Sequence, residues 1–226
     1  MPAKSENNKR SPWIPYVLLA IIASIAGAVL SLSQQQPAKP PELSTATLLT
    51  PAKSFQPTGL IDQDGKAFGI EDFKGVYTFI FFGYTNCPDI CPATLYQFKI
   101  MAAALQKEQP AIYKKTRFML VSIDPERDTA QHLKEYVHYY NPAFIGLTGK
   151  LEDITKFSRQ MGVIFERREN EETADAQATD NYLVDHSSAI LMTDTSGHLK
   201  AVFTAPHNAV DIIKEYQLIF NYLEKN

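Results

Sequence analysis

The sequence predicts an α/β domain whose central mixed sheet is flanked by helices, preceded by one N-terminal transmembrane helix. Three observations carry this. An apolar, β-branched and aromatic run at 76–82, a helix-periodic stretch after it and a second apolar run at 118–123 form a β-helix-β unit, so their strands are parallel with a right-handed crossover. Two later extended pieces, 189–192 and 199–204, flank Asp194-Thr195-Ser196-Gly197 and read as an antiparallel hairpin. Residues 13–32 contain no charge at all.

From the N-terminus, residues 1–12 read as a cytoplasmic segment carrying Lys4, Lys9 and Arg10 against Glu6. At about 1.5 Å per residue, the anchor at 13–32 covers the roughly 30 Å of bilayer hydrocarbon. Trp13 and Tyr16 stand where interfacial aromatics lie. Positive charge precedes the span and none follows until Lys39, which puts the N-terminus in the cytoplasm and the domain on the outer, periplasmic or equivalent face. The plainer reading is a cleaved signal peptide, but its apolar region runs to only about 7–15 residues. Ala26-Gly27-Ala28 also lies inside the run, so an uncleaved single-pass anchor is expected. Residues 33–56, rich in Gln, Pro, Ala, Ser and Thr, read as a flexible, semi-extended tether, and 57–226 as the domain. A net charge of −3 with no basic stripe outside the N-terminus points away from nucleic acid.

Within the domain, Asp64-Gly65 marks a turn between two short extended pieces at 60–68. Leu95, Phe98, Ala102 and Leu105 fall near helical spacing. Residues 129–140 read as a helix stopped at Asn141-Pro142, 144–147 as a short strand, and 151–161 as a helix ending at Gly162. Residues 210–223 form an amphipathic closing helix. The acidic stretch 166–180 reads as a solvated excursion.

Cys87 and Cys91 are the only cysteines in the chain. Pro92 disfavours the α conformation at Cys91, so the helix is expected to start at or after Pro92. Cys87 then lies in the loop and Cys91 at the helix start, where free amides and the helix dipole favour thiolate. The pair can close a disulfide when oxidised or grip a soft metal. A purely structural disulfide is the plainer alternative, but so short a loop gains little stability from cross-linking. Stray thiols are oxidised on an exporting face, so exposure of an idle pair there is unexpected.

Two thiolates do not fill a coordination shell, which directs attention to histidine. His132 and His138 lie on a helix, His198 at the hairpin turn and His207 at the start of the last helix, where surface or capping roles suffice. His186 directly precedes the strand at 189–192. Alone it reads as a hydrogen-bonded loop residue. With the cysteines it completes a two-sulfur, one-nitrogen set that suits copper better than magnesium or calcium, whereas zinc would leave a position open. After the second strand comes Asp124-Pro125-Glu126-Arg127-Asp128, at the same sheet edge as the cysteine loop. Asp128-Thr129 reads as a helix cap, and Asp124 equally as a turn residue or as a residue orienting a ligand.

Three motifs in this order, Phe82-Gly83-Tyr84-Thr85-Asn86-Cys87-Pro88-Asp89-Ile90-Cys91-Pro92, Val121-Ser122-Ile123-Asp124-Pro125-Glu126-Arg127-Asp128 and Tyr182-Leu183-Val184-Asp185-His186-Ser187, resemble the Sco/SenC family of membrane-anchored, thioredoxin-like copper proteins. The likeness runs from about Leu60 to the C-terminus. It implies a thioredoxin-like fold with copper, Cu(I) or Cu(II), held by Cys87, Cys91 and His186, and Asp124 as a supporting residue. It also implies work on the binuclear copper centre of a respiratory cytochrome c oxidase. The expected partners are the oxidase's copper-centre subunit and another periplasmic copper chaperone or a thiol reductant. Family members deliver copper or reduce the target's cysteines, so metallochaperone and membrane-tethered thiol-disulfide reductase both stay open; in the second, Cys87 and Cys91 are the catalytic pair. Thioredoxins usually have Cys-x-x-Cys and a cis-proline before the facing strand. Here three residues separate the cysteines and no proline lies between Pro142 and Pro206, which suggests a metal ligand in place of a partner clamp.

Overall fold

A computed structural model describes residues 13–33, 39–169 and 182–225. The expected cytoplasmic segment 1–12 and most of the acidic stretch lie outside the described residues. The first helix, α1 (Ile14–Ser33), runs 20 residues without a charge. Tyr16, Val17, Leu18 and Leu19 are all exposed, and four consecutive helical positions cover every face of a helix. Among the described residues no helix is long and apolar enough to cross a membrane. The expected span therefore rests on the whole sequence 13–32, some of whose side chains fall outside the description.

The main unit, Pro41–Asn221, is built on an eight-stranded mixed sheet. Its strands are β1 (Ala46–Lys53), β2 (Leu60–Asp62), β3 (Ala67–Phe68), β4 (Tyr77–Gly83), β5 (Thr116–Ser122), β6 (Ile145–Gly149), β9 (Ile190–Thr193) and β10 (Leu199–Phe203), in the order β1-β10-β9-β4-β5-β6-β2-β3. β4, β5 and β6 are parallel neighbours, as the crossover pattern predicts. β9 returns antiparallel to β4 and pairs with β10 as the expected hairpin. The helices are α2 (Ile90–Glu108), α3 (Pro110–Lys114), α4 (Ala130–Tyr140), α5 (Leu151–Gln160) and α6 (Ala209–Leu223). The remaining strands, β7 (Phe165–Glu169) and β8 (Tyr182–His186), form a separate two-stranded sheet.

Every residue of β4 is buried, as its apolar run on both faces requires. On one face Phe79 meets Phe98 of α2, Phe118 of β5, Phe203 of β10 and Tyr216 of α6, with ring centroids 4.9–6.3 Å apart. On the other, Phe82 meets Phe157 of α5 at 5.5 Å. Fully burying one such side chain contributes about 1.5–3 kcal/mol, so the end of β4 is a rigid base for the loop that follows.

Two elements depart from expectation. β1 occupies 46–53, inside the stretch read as tether. Its burial alternates poorly and it contains Pro51, which only an edge strand tolerates, so the composition resembles a linker. Glu215 of α6 holds its start by accepting five hydrogen bonds from Ser44, Thr45 and Ala46. The acidic excursion, for its part, begins as strand β7, because partner β8 lies beside it in antiparallel register.

Candidate metal centre

β4 ends at Gly83, opposite Ser122 of β5, so the loops leaving these parallel strands share the carboxyl edge of the sheet, where folds of this kind place their sites. β9 starts at the same edge, with Ile190 opposite Phe81, which brings the segment after His186 there too. The three sequence motifs thus converge from distant parts of the chain.

Cys87 sits in the loop and donates its N–H to the Tyr84 carbonyl at 3.3 Å. Cys91 lies in the first turn of α2, its N–H directed at Cys87 Sγ, 3.5 Å away. Both side chains are buried and no disulfide joins them. Gly83 forms the floor beneath them: a Cβ there would stand 2.8 Å from Cys91 Sγ and 2.9 Å from the Phe81 ring.

Two expectations about this loop are corrected. α2 begins at Ile90, ahead of Pro92. The amide that Pro92 lacks is one of the first four of the helix, which have no intrahelical acceptor, so proline fits inside the first turn. Nor does the helix start acidify Cys91. Its thiol is pushed well up, first by its hydrogen bond to Cys87, then by burial and by the charges of Cys87 and Asp128. Burial and a neighbouring sulfur outweigh the dipole and favour the neutral thiol at Cys91.

Asp124 is buried and ion-paired to Arg127. The Arg127 guanidinium lies 5.7 Å from the centre of the Tyr84 ring. Asp124 thus reaches the cysteine loop through Arg127 and Tyr84.

Asp128 has a role the sequence reading missed. Thr129 alone caps α4, its hydroxyl accepting the His132 N–H at 3.2 Å. Asp128, fully buried, instead accepts the Ser122 hydroxyl at 2.6 Å, the Thr85 hydroxyl at 2.5 Å and the Thr85 N–H at 3.2 Å. It ties the residue two before Cys87 to the end of β5. Burial pushes its carboxyl up, against the pull of the Ser122 and Thr85 hydrogen bonds. The available signal was Thr129, which suffices as a cap and leaves the adjacent carboxylate without a local task.

The other histidines sort by position. His198 lies 3.8 Å from Asp194 in the β9–β10 turn, at the opposite end of the sheet. His207 precedes α6 instead of beginning it; its Nε2 meets the Ser188 carbonyl, and burial lowers its pKa. His132 Nε2 lies 3.1 Å from the Thr85 hydroxyl. His186 is the last residue of β8, opposite Phe165, and so belongs to a strand, not a loop. Its side chain lies outside the described ones. Among the described residues no group of three or more His, Cys, Asp or Glu side chains could hold a metal. The two cysteines stand together at the sheet edge, and His186 is placed by its backbone at the end of β8. The Val184 N–H, two residues before His186, donates to the Tyr84 hydroxyl at 3.3 Å.

The SCO1/SenC family model matches residues 49–221. The chain belongs to the SCO1/SenC family. A putative copper-binding protein of Stutzerimonas stutzeri is 33% identical over 159 residues, which cover 70% of this chain and 73% of that protein. Arabidopsis thaliana ScoI, solved with copper bound, aligns with a TM-score of 0.65 and 30% identity over 73% of this chain and 96% of its own. BsSco, a member of the Sco family of cytochrome c oxidase assembly proteins in which a disulfide switch was identified, shares the fold at a TM-score of 0.53 and 22% identity, over 80% of this chain and 96% of its own. The SCO1/SenC domain is therefore thioredoxin-like, as the motifs implied.

Proposed function

We propose that this SCO1/SenC protein is a membrane-anchored copper metallochaperone. Cys87, Cys91 and His186 bind copper outside the cytoplasm, and the domain passes it by ligand exchange to the copper-centre subunit of a respiratory cytochrome c oxidase. The observation that carries this reading is the dithiol itself: two buried cysteines, the Cys91 N–H directed at Cys87 Sγ, above Gly83 and at the sheet edge to which the chain returns after His186. Soft sulfur donors with an imidazole suit copper, the metal bound in the Arabidopsis relative. Copper supplies the cargo; the chain supplies a dry, preformed pair of ligands and Asp124 to steady the loop. The uncharged sequence 13–32 and the outward apolar side chains of α1 support the anchor.

The rival is a thiol-disulfide reductase that keeps the oxidase's copper-site cysteines reduced. Exchange needs a thiolate, and a buried Cys91 whose thiol is pushed up counts against fast attack by that residue. The deciding experiment measures copper content and affinity of the anaerobically reduced protein with Cys87→Ser, Cys91→Ser and His186→Ala. Loss of copper in all three supports the metallochaperone. A His186→Ala variant that binds as tightly as the parent removes the three-ligand site. If that variant also still sustains oxidase assembly, the reductase takes its place.

A further inference from the structure

We propose that Tyr84 is a positioning residue for the third ligand: its hydroxyl holds the strand that carries His186 against the cysteine loop. The inference rests on the three-ligand reading above and adds a residue that reading does not need. β7 and β8 pair with each other and with no strand of the main sheet, and an isolated two-stranded hairpin is marginal in water. A cleft of about 170 Å³, open on one side, separates Phe165 and Val184 of the hairpin from Ile123 and Asp124 of the body, so packing there is incomplete. Tyr84 bridges the two. It is 2% exposed and lies three residues before Cys87, and its hydroxyl accepts the Val184 N–H at 3.3 Å. The ring is itself held, by the Arg127 guanidinium above it and by the ion pair of Arg127 with Asp124. The chain of contacts Asp124, Arg127, Tyr84, Val184 thus joins the turn after β5, the cysteine loop and β8. A phenylalanine at 84 would fill the same space and still meet Arg127, but would leave the Val184 N–H without this acceptor.

The test is Tyr84→Phe in the full chain, reduced anaerobically. Copper(I) affinity is read by competition with a chromophoric chelator, and nitrogen ligation by the hyperfine pattern of the copper(II) form. One hydrogen bond of this kind corresponds to a loss of about 3- to 10-fold in affinity. Nitrogen hyperfine should weaken, and the Val184 amide should exchange faster in the metal-free protein. In a His186→Ala background, Tyr84→Phe should lower affinity no further. The proposal is overturned if Tyr84→Phe binds copper as tightly with an unchanged nitrogen pattern. It is overturned equally if the loss is the same without His186, since Tyr84 would then act on the cysteines. If His186→Ala weakens binding and Tyr84→Phe does not, only the strut fails. If His186→Ala has no effect, the three-ligand reading fails and takes the strut with it. Should Tyr84→Phe not fold, Arg127→Lys loosens the ring while keeping its hydroxyl: Val184 exchange rises if the ring is a strut and is unchanged if it is not.

Discussion

At Cys91 a single proton connects the local environment to metal binding. The thiol is held up by Cys87 and by burial, so the protein keeps this proton through neutral pH. Copper must displace it, and each proton released makes affinity rise about tenfold per pH unit. Affinity should therefore still be climbing at pH 10, past the ordinary thiol pKa of about 8.5; a plateau by about pH 9.5 in a chelator competition would contradict the raised Cys91 thiol. Asp128 governs the same loop from below. Asp128→Ala takes away the acceptor of the buried Ser122 hydroxyl and of the Thr85 N–H, at about 1–3 kcal/mol. Urea unfolding should show that loss, and Cys87 should be alkylated faster than in the parent. The Asp128 carboxyl is raised in the folded state, so its own contribution is complete below its unfolded value of 3.8 and is lost as pH rises through the folded one. The variant should lack this component.

Among the elements, α6 and β1 are joined by Glu215, whose carboxylate is 5% exposed and accepts hydrogen bonds of 2.7–2.9 Å. Burial alone would raise its pKa, but the Ser44 and Thr45 donors hold it down at about 2. The sign is opposite to that of Asp128: stability from this clamp is present above about 4.5 and is lost as pH falls toward about 2. Glu215→Gln keeps the shape and removes the charge. It should cost about 1.5–3 kcal/mol at neutral pH, and acid unfolding between those values should flatten. The clamp also explains how a proline-containing stretch of linker composition becomes an edge strand. Its donors are satisfied by a residue about 170 positions away, which no local window contains.

For the whole molecule, the proposed anchor at 13–32 sets on which side of the membrane copper is handled. The full chain should stay with membranes through a carbonate wash, and a chain lacking residues 1–33 should appear in the soluble fraction; a soluble full chain would remove the anchor. Local signals made much of this protein legible in its sequence. The all-apolar run of β4 showed a central strand, the β-helix-β spacing showed parallel neighbours, and the cysteine pair follows that strand at the carboxyl edge of the sheet. These follow from side-chain period and chain connectivity, which neighbouring residues alone express. The three motifs also showed the family, because each is a contiguous string. Tertiary structure decided what contiguous strings cannot hold. It started α2 ahead of Pro92, buried Cys91 beside Cys87 so that its thiol is pushed up against the dipole, freed Asp128 from capping to tie down Thr85, and set Tyr84 against Val184. Each of these depends on burial and on partners brought close only by folding. A thiol's proton or a carboxylate's task is set by the groups around it in space, and the sequence records those groups without recording their distance.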